Sequence, residues 1–206
     1  MIGYLFSLMK NLIIISAIGL VSLSITACNN ANKTTAIKDT TPATSSHSAP
    51  SIPSKPGVDA KTTASVKILV GNYLLLKNAL TKDNSTDAAT AGKALSNDFA
   101  KLDQSALTAA QKKTFSDIAD DAKEMAEHIG KSSGNIPHQR EHFDMLSKDM
   151  VDLVKVFGAG QPIYVDHCPM YNNGKGADWL TETKEIKNPY FGTKMLTCGS
   201  VKEVLK

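Results

Sequence analysis

The stretch NIPHQREHFDMLSKDMVDLVKVFG, residues 135–158, decides the fold class. Its Phe143, Leu146, Met150, Leu153 and Phe157 recur at spacings of three and four, which puts them on one face of an α-helix. Asn135 opens the helix, Pro137 sits in the first turn where no backbone donor is missed, and Gly158 and Gly160 end it. A helix with a single apolar stripe has to bury that stripe against other elements. The preceding sequence supplies them. Val66, Leu69, Tyr73, Leu76 and Leu80 keep helical spacing, and Asp83-Asn84-Ser85 then breaks the pattern and caps a second helix bearing Ala88, Ala91, Leu95, Phe99 and Leu102. Thr108 and Gln111 have the spacing of a capping box for a third helix, with Phe115, Ile118, Ala122, Met125 and Ile129 as its buried face. Four amphipathic helices with short connections predict a mainly α fold, an antiparallel four-helix bundle.

The fourth helix carries chemistry as well as a core face. His138 and His142 are four residues apart, one turn from each other on the flank of the apolar stripe, with Met145 and Asp149 close by. Such a pair either chelates one metal ion or hydrogen-bonds at the border to Glu141, Asp144 or a loop. The positive end of the helix dipole near His138 disfavours its protonation, which leaves a neutral imidazole able to bind. His128, at the end of the third helix, reads as a hydrogen-bonding border residue more than as a ligand.

After Gly160 the texture changes. Residues 161–165, Gln-Pro-Ile-Tyr-Val, read as a short strand, and Asn172-Asn173-Gly174 and Asn188-Pro189 read as turns. Residues 161–206 form a small irregular appendage with too little apolar content to stand alone. It needs packing against the bundle or a crosslink. The appendage holds two sulfur clusters, His167-Cys168-Pro169-Met170 and Met195-Leu196-Thr197-Cys198-Gly199. Cys168 and Cys198 either form a disulfide or hold a metal together with Met170, Met195 and a histidine. Thioether is a poor ligand for zinc and a good one for Cu(I), so two Cys plus two Met point to Cu(I) or Ag(I) before Zn. Trp179 either covers such an ion or pins the appendage to the bundle as a core residue, the plainer reading. His167, beside Cys168 on a strand, tends to the opposite face.

The other cysteine, Cys28, bears on the compartment. Lys10 and Asn11 precede an apolar run over residues 12–23, which closes on Ile25-Thr26-Ala27-Cys28. Residues 1–28 therefore read as a lipoprotein signal peptide ending at a lipidated Cys28, with Met9 a better start than Met1. The apolar run is short for a transmembrane span. Asn29 and Asn30 in place of an acidic residue suggest, by resemblance to Gram-negative lipoproteins, an outer-membrane protein facing the periplasm. Residues 29–63 are rich in Ser, Thr, Ala, Pro and Lys, include His47, and read as a disordered tether. Residues 64–206 have the length of one domain with a real core. The net charge of +3, without a basic stripe, argues against nucleic acid as a partner.

The segments Tyr73-Leu74-Leu75-Leu76-Lys77-Asn78-Ala79-Leu80, His138-Gln139-Arg140-Glu141-His142-Phe143, Cys168-Pro169-Met170, Gly176-Ala177-Asp178-Trp179-Leu180 and residues 188–192, Asn-Pro-Tyr-Phe-Gly, followed by Cys198-Gly199, resemble an uncharacterised periplasmic domain family, domain of unknown function 3347. The resemblance implies a lipoprotein, or an extension of copper and silver efflux adaptors, chiefly in Bacteroidetes. It implies heavy-metal handling, a pump or its adaptor as partner, and a ligand pool of His138, His142, Cys168, Met170, Met195 and Cys198. The expected shell is Cys168, Cys198, Met170 and His142, with Met195 and His138 exchangeable or supporting.

Three function classes follow: a lipid-anchored copper buffer or chaperone, a structural lipoprotein stapled by a Cys168–Cys198 disulfide, and an enzyme. The enzyme fares worst. No nucleophile elbow, phosphate loop or dinucleotide fingerprint is present, Asp120-Asp121 reads as a solvated face, and the cysteines lack CxxC spacing. The expectation is a non-catalytic copper-binding protein.

Overall fold

The computed structural model describes residues 55–206. The signal segment, Cys28, His47 and residues 29–54 of the tether lie outside the described residues. Helix α1 (Ala60–Thr81) starts where the Asp59 carboxylate accepts the backbone N–H groups of Lys61 and Thr62 at 2.9 and 3.0 Å. This cap carries the helix four residues into the Thr-rich stretch and buries Thr62 and Thr63, so ordered structure begins before residue 64. Asn84 caps α2 (Ser85–Lys101) through the Asp87 N–H, and the expected capping box of Thr108 and Gln111 opens α3 (Ala109–Lys131). Asn135 caps α4 (Ile136–Phe157), and Gly158, at φ +76°, ends it.

The domain is mainly helical. Each long helix packs on the next in sequence, and α4 returns against α1. All five apolar positions read on α4 are fully buried, together with Tyr73, Leu76, Leu80, Leu95 and Ile129. A fully buried side chain of this size stabilises by about 1.5–3 kcal/mol. On α3 the buried stripe is Phe115, Ala119, Ala122, Ala126 and Ile129, while Ile118 and Met125 are only partly covered. The turn of phase has a cause in α2: a Cβ on Gly92 would stand 2.9 Å from the Ala126 carbonyl oxygen and 3.0 Å from the Gly130 nitrogen. Small residues let the two backbones approach, and Met125 is left on the seam with α4.

The expected irregular appendage is an ordered antiparallel sheet of order β2-β1-β3, with β1 at Ile163–Cys168, β2 at Ala177–Thr181 and β3 at Ser200–Leu205. Strand β1 runs to Cys168 instead of stopping at Val165. It pairs Cys168 with Ala177, and His167 with both Asp178 and Ser200, across an irregularity between Val165 and Asp166. Asn172 and Asn173 take φ of +52° and +56° between β1 and β2, the left-handed turn their Asn-Asn-Gly sequence favours. Asn188 makes the second turn by accepting the N–H groups of Tyr190 and Phe191 at 2.8 and 3.1 Å. The sheet docks on α4 through β2. Among the described residues no helix is long and apolar enough to cross a membrane.

Candidate functional site

Strand pairing brings the two described cysteines together. Cys168 closes β1 and is buried, and the β1–β3 register returns the chain so that half-buried Cys198 lies two residues before β3. Their Sγ atoms are 3.5 Å apart. The approach is held by the Asn188 side-chain amide donating to the Cys198 carbonyl at 2.7 Å and by the Cys198 N–H donating to the Met195 carbonyl at 3.1 Å. Gly199 has to be glycine here: its φ is +141°, and a Cβ would stand 2.9 Å from both the His167 carbonyl oxygen and the Trp179 ring. Burial pushes the Cys198 thiol up, and its contact with Cys168 adds to this. Cys198 therefore favours its neutral form near pH 7, and a metal has to displace that proton to take the thiolate.

Met195, a turn before Cys198, is 36 % exposed, and Met170, two residues past Cys168, is 54 % exposed. Met170 lines a surface groove with Met145, Glu141, Asp144 and Tyr171. Trp179 is a core residue, packed edge-to-face on Tyr190 with ring centroids 5.9 Å apart. His167 turns to the Asp178 carboxylate, 2.6 Å from its Nδ1, and Asp178 also pairs with Lys202 at 2.7 Å.

The helix histidines form a second cluster. His138 and His142 bring their Nε2 atoms to 3.1 Å, with ring planes at 88°. The His128 ring of α3 stacks on His142 with centroids 4.6 Å apart and planes 10° apart. One ligand nitrogen from each of the three lies within 4.8 Å of the others, and among the described residues no other trio of His, Cys or carboxylate groups converges so closely. Behind them, His142 Nδ1 is 3.3 Å from the Met125 sulfur, His138 Nδ1 is 3.4 Å from Glu141 and His128 Nε2 is 3.6 Å from Glu124. Burial pushes His142 below the usual imidazole range, and the neighbouring His138 and His128 push it the same way. The ring is therefore neutral and able to ligate at pH 7.

Among the described residues, no trio drawn from Cys168, Cys198 and the helix histidines of the expected shell brings its ligand atoms within 4.8 Å, apart from the histidine cluster itself. The cysteines meet each other, His142 and His138 meet His128, and Met170 stands in the groove with Met145. His128, read from sequence as a border residue, joins the trio. The signal for it lay in topology. With a short connection at residues 132–135, positions at similar distances from that turn on α3 and α4 come side by side, which opposes 128 to 138–142.

No curated protein and no solved structure matches the chain. Residues 69–162 match a family model described as protein of unknown function (DUF3347), a span from the third turn of α1 to the threshold of β1. The cysteines and both C-terminal methionines lie beyond it. Over those matched residues, and in agreement with the resemblance its helix motifs carry, the chain is similar to the DUF3347 family, an uncharacterised domain family.

Proposed function

We propose that the protein is a lipid-anchored, non-catalytic copper-binding protein of the periplasm, taking Cu(I) or Ag(I) as cargo for buffering, delivery or efflux. The observation that carries this reading is the pair of thiols at Cys168 and Cys198, 3.5 Å apart, on two segments that each also bear a methionine. Thiolate and thioether are soft donors, and their combination suits Cu(I) and Ag(I) better than Zn(II). Met195 and Met170, both open to solvent, are the donors through which an ion is handed in or out. The four long helices, read as an antiparallel bundle, are the scaffold that holds the sheet. Cys28 carries the lipid that keeps the protein at the outer membrane, where a heavy-metal efflux pump or its adaptor is the partner. The setting in Bacteroidetes and beside efflux adaptors belongs to this proposal and rests on the resemblance alone.

The test is Cu(I) titration of the reduced full-length protein against a chelating competitor, beside the Cys168→Ser/Cys198→Ser variant. Tight binding that the variant loses is the expected result. Failure of the reduced protein to compete sinks the reading.

A second reading has support in the same distance. Two thiols 3.5 Å apart, one of them buried, are a small side-chain rotation from a bond, so a disulfide that staples β1 to the β3 approach gives a structural lipoprotein. Oxidised protein that stays refractory to reductant at periplasmic poise favours this reading over cargo binding.

A further inference from the structure

The imidazole cluster has the construction of a site in its own right. His138 Nδ1 faces the Glu141 carboxylate at 3.4 Å, and His142 Nδ1 faces the Met125 sulfur at 3.3 Å. Carboxylate and thioether only accept, so each contact draws the proton of its neutral ring to Nδ1. That leaves lone pairs on the two Nε2 atoms, which stand 3.1 Å apart. Two lone pairs at this distance repel unless a positive centre lies between them. A tetrahedral ion with metal–nitrogen bonds of about 2.0–2.1 Å sets two ligand nitrogens about 3.3 Å apart, close to the separation observed. A carboxylate behind the far nitrogen is also how ligating histidines are commonly oriented.

His128 supplies the third donor from another helix. Its side chain is 48 % exposed and stacked on His142, so its ring has room to turn toward the Nε2 pair. Its neighbour Glu124, like Glu141, adds negative charge beside a cation.

We propose that His128, His138 and His142 bind a borderline divalent cation, Zn(II) or Cu(II), at a site separate from the Cys168–Cys198 pair. Three imidazoles without thiolate suit borderline divalent ions and hold Cu(I) less well than soft sulfur does. Three protein donors leave a fourth position open, so the ion exchanges instead of being sealed in. The site lies on the seam of two long, capped helices and bridges α3 to α4. It does not rest on the Cu(I) reading.

Zn(II) is the probe for the test. The full-length Cys168→Ser/Cys198→Ser protein, which has no thiol in the described domain, is titrated with Zn(II) against a chromophoric chelator. Co(II) in the same protein gives a visible d–d spectrum that reports its coordination. The expected result is binding of one ion per chain, weakened about tenfold or more when His128→Ala or His142→Ala is added. His128 is exposed and does not support the core, so its removal tests ligation without unfolding. Absence of Zn(II) competition overturns the proposal, because the Nε2 atoms then share a proton instead of a metal. Unchanged affinity in both His→Ala variants overturns it equally. Neither failure touches the Cu(I) reading, which stands or falls on the thiols.

Discussion

The Tyr73 hydroxyl lies 2.7 Å from Ser147 Oγ in the middle of the domain, and it also accepts the backbone N–H of Leu180 at 3.2 Å. One phenol oxygen therefore ties α1 to α4 and both to β2. Burial pushes this phenol far above its usual value, so it stays a neutral donor and acceptor at any physiological pH.

Tyr73→Phe keeps the ring stacked on Phe143 but strands a buried N–H and a buried hydroxyl. The expected cost is about 1–3 kcal/mol in denaturant unfolding, the desolvation penalty of unpaired buried groups. Ser147→Ala is expected to cost less, since the Tyr73 oxygen still receives Leu180. Equal costs for the two variants count against the three-way junction.

Arg140, between the two α4 histidines, holds the C-terminal loop. Its guanidinium donates to the Pro189 carbonyl at 2.7 Å, the Leu80 carbonyl at 3.0 Å and Asp83 at 2.5 Å. Asp83 in turn receives the Thr193 N–H at 3.0 Å. A lysine cannot reach three acceptors from one point, so Arg140→Lys is expected to destabilise by about 1.5–3 kcal/mol. Amide exchange at residues 188–198 is expected to quicken, and unaltered exchange there shows that the loop is held by other means.

Asp149 gives stability a pH dependence. Burial raises its carboxyl to about 6, with Asp121 and Asp152 adding to the shift, against the ordinary value of 3.8. The folded state thus binds more protons than the unfolded chain between about pH 4 and 6, and stability attributable to this group falls as pH rises through that window and is level above it. Unfolding measured from pH 4 to 8 is expected to lose this component in Asp149→Asn, which gains stability at pH 7. An identical profile in both proteins refutes the assignment.

Gly92→Ala sets helix propensity against packing. Alanine favours the helix by about 1 kcal/mol. The new methyl, however, meets the Ala126 carbonyl oxygen at 2.9 Å, a backbone atom that moves only if α2 and α3 part. Overpacking of this kind costs about 1–3 kcal/mol, so net destabilisation is expected in a thermal melt. A rise in Tm shows that the crossing is looser than its distances imply.

The helices were legible where large apolar residues carry the period. The α4 stripe and the caps at Asn84, Thr108 and Asn135 all stand in the structure as read. The α3 phase was not, because Ala119 and Ala126 give little pattern, and their burial depends on Gly92 and Gly130 from across the crossing. The sheet was hidden for a different reason. Val165 and Asp166 are consecutive and both buried at the β1 irregularity, which erases the alternation of a strand, and β3 exposes most of its residues. The sulfur residues announced themselves by type. Their partners were fixed by register and helix pairing, which set Cys168 beside Cys198 and gave His142 a neighbour, His128, that no local spacing could supply.

Lys55 lies beside Gly158 at the far end of α4, where a Cβ on the glycine would stand 3.4 Å from the Lys55 side chain, and a cleft there is lined by Lys55, Gly158, Pro162 and Lys206. The first and last described residues are thus gathered at one pole. His142 lies sixteen residues back along the same helix, a lever of roughly 24 Å. Met170 stands beside Met145, away from that pole as well. Whatever docks on the histidines or on the Met170 groove meets the folded unit far from Lys55 and Lys206, and a handle added at Lys206 starts from the opposite pole.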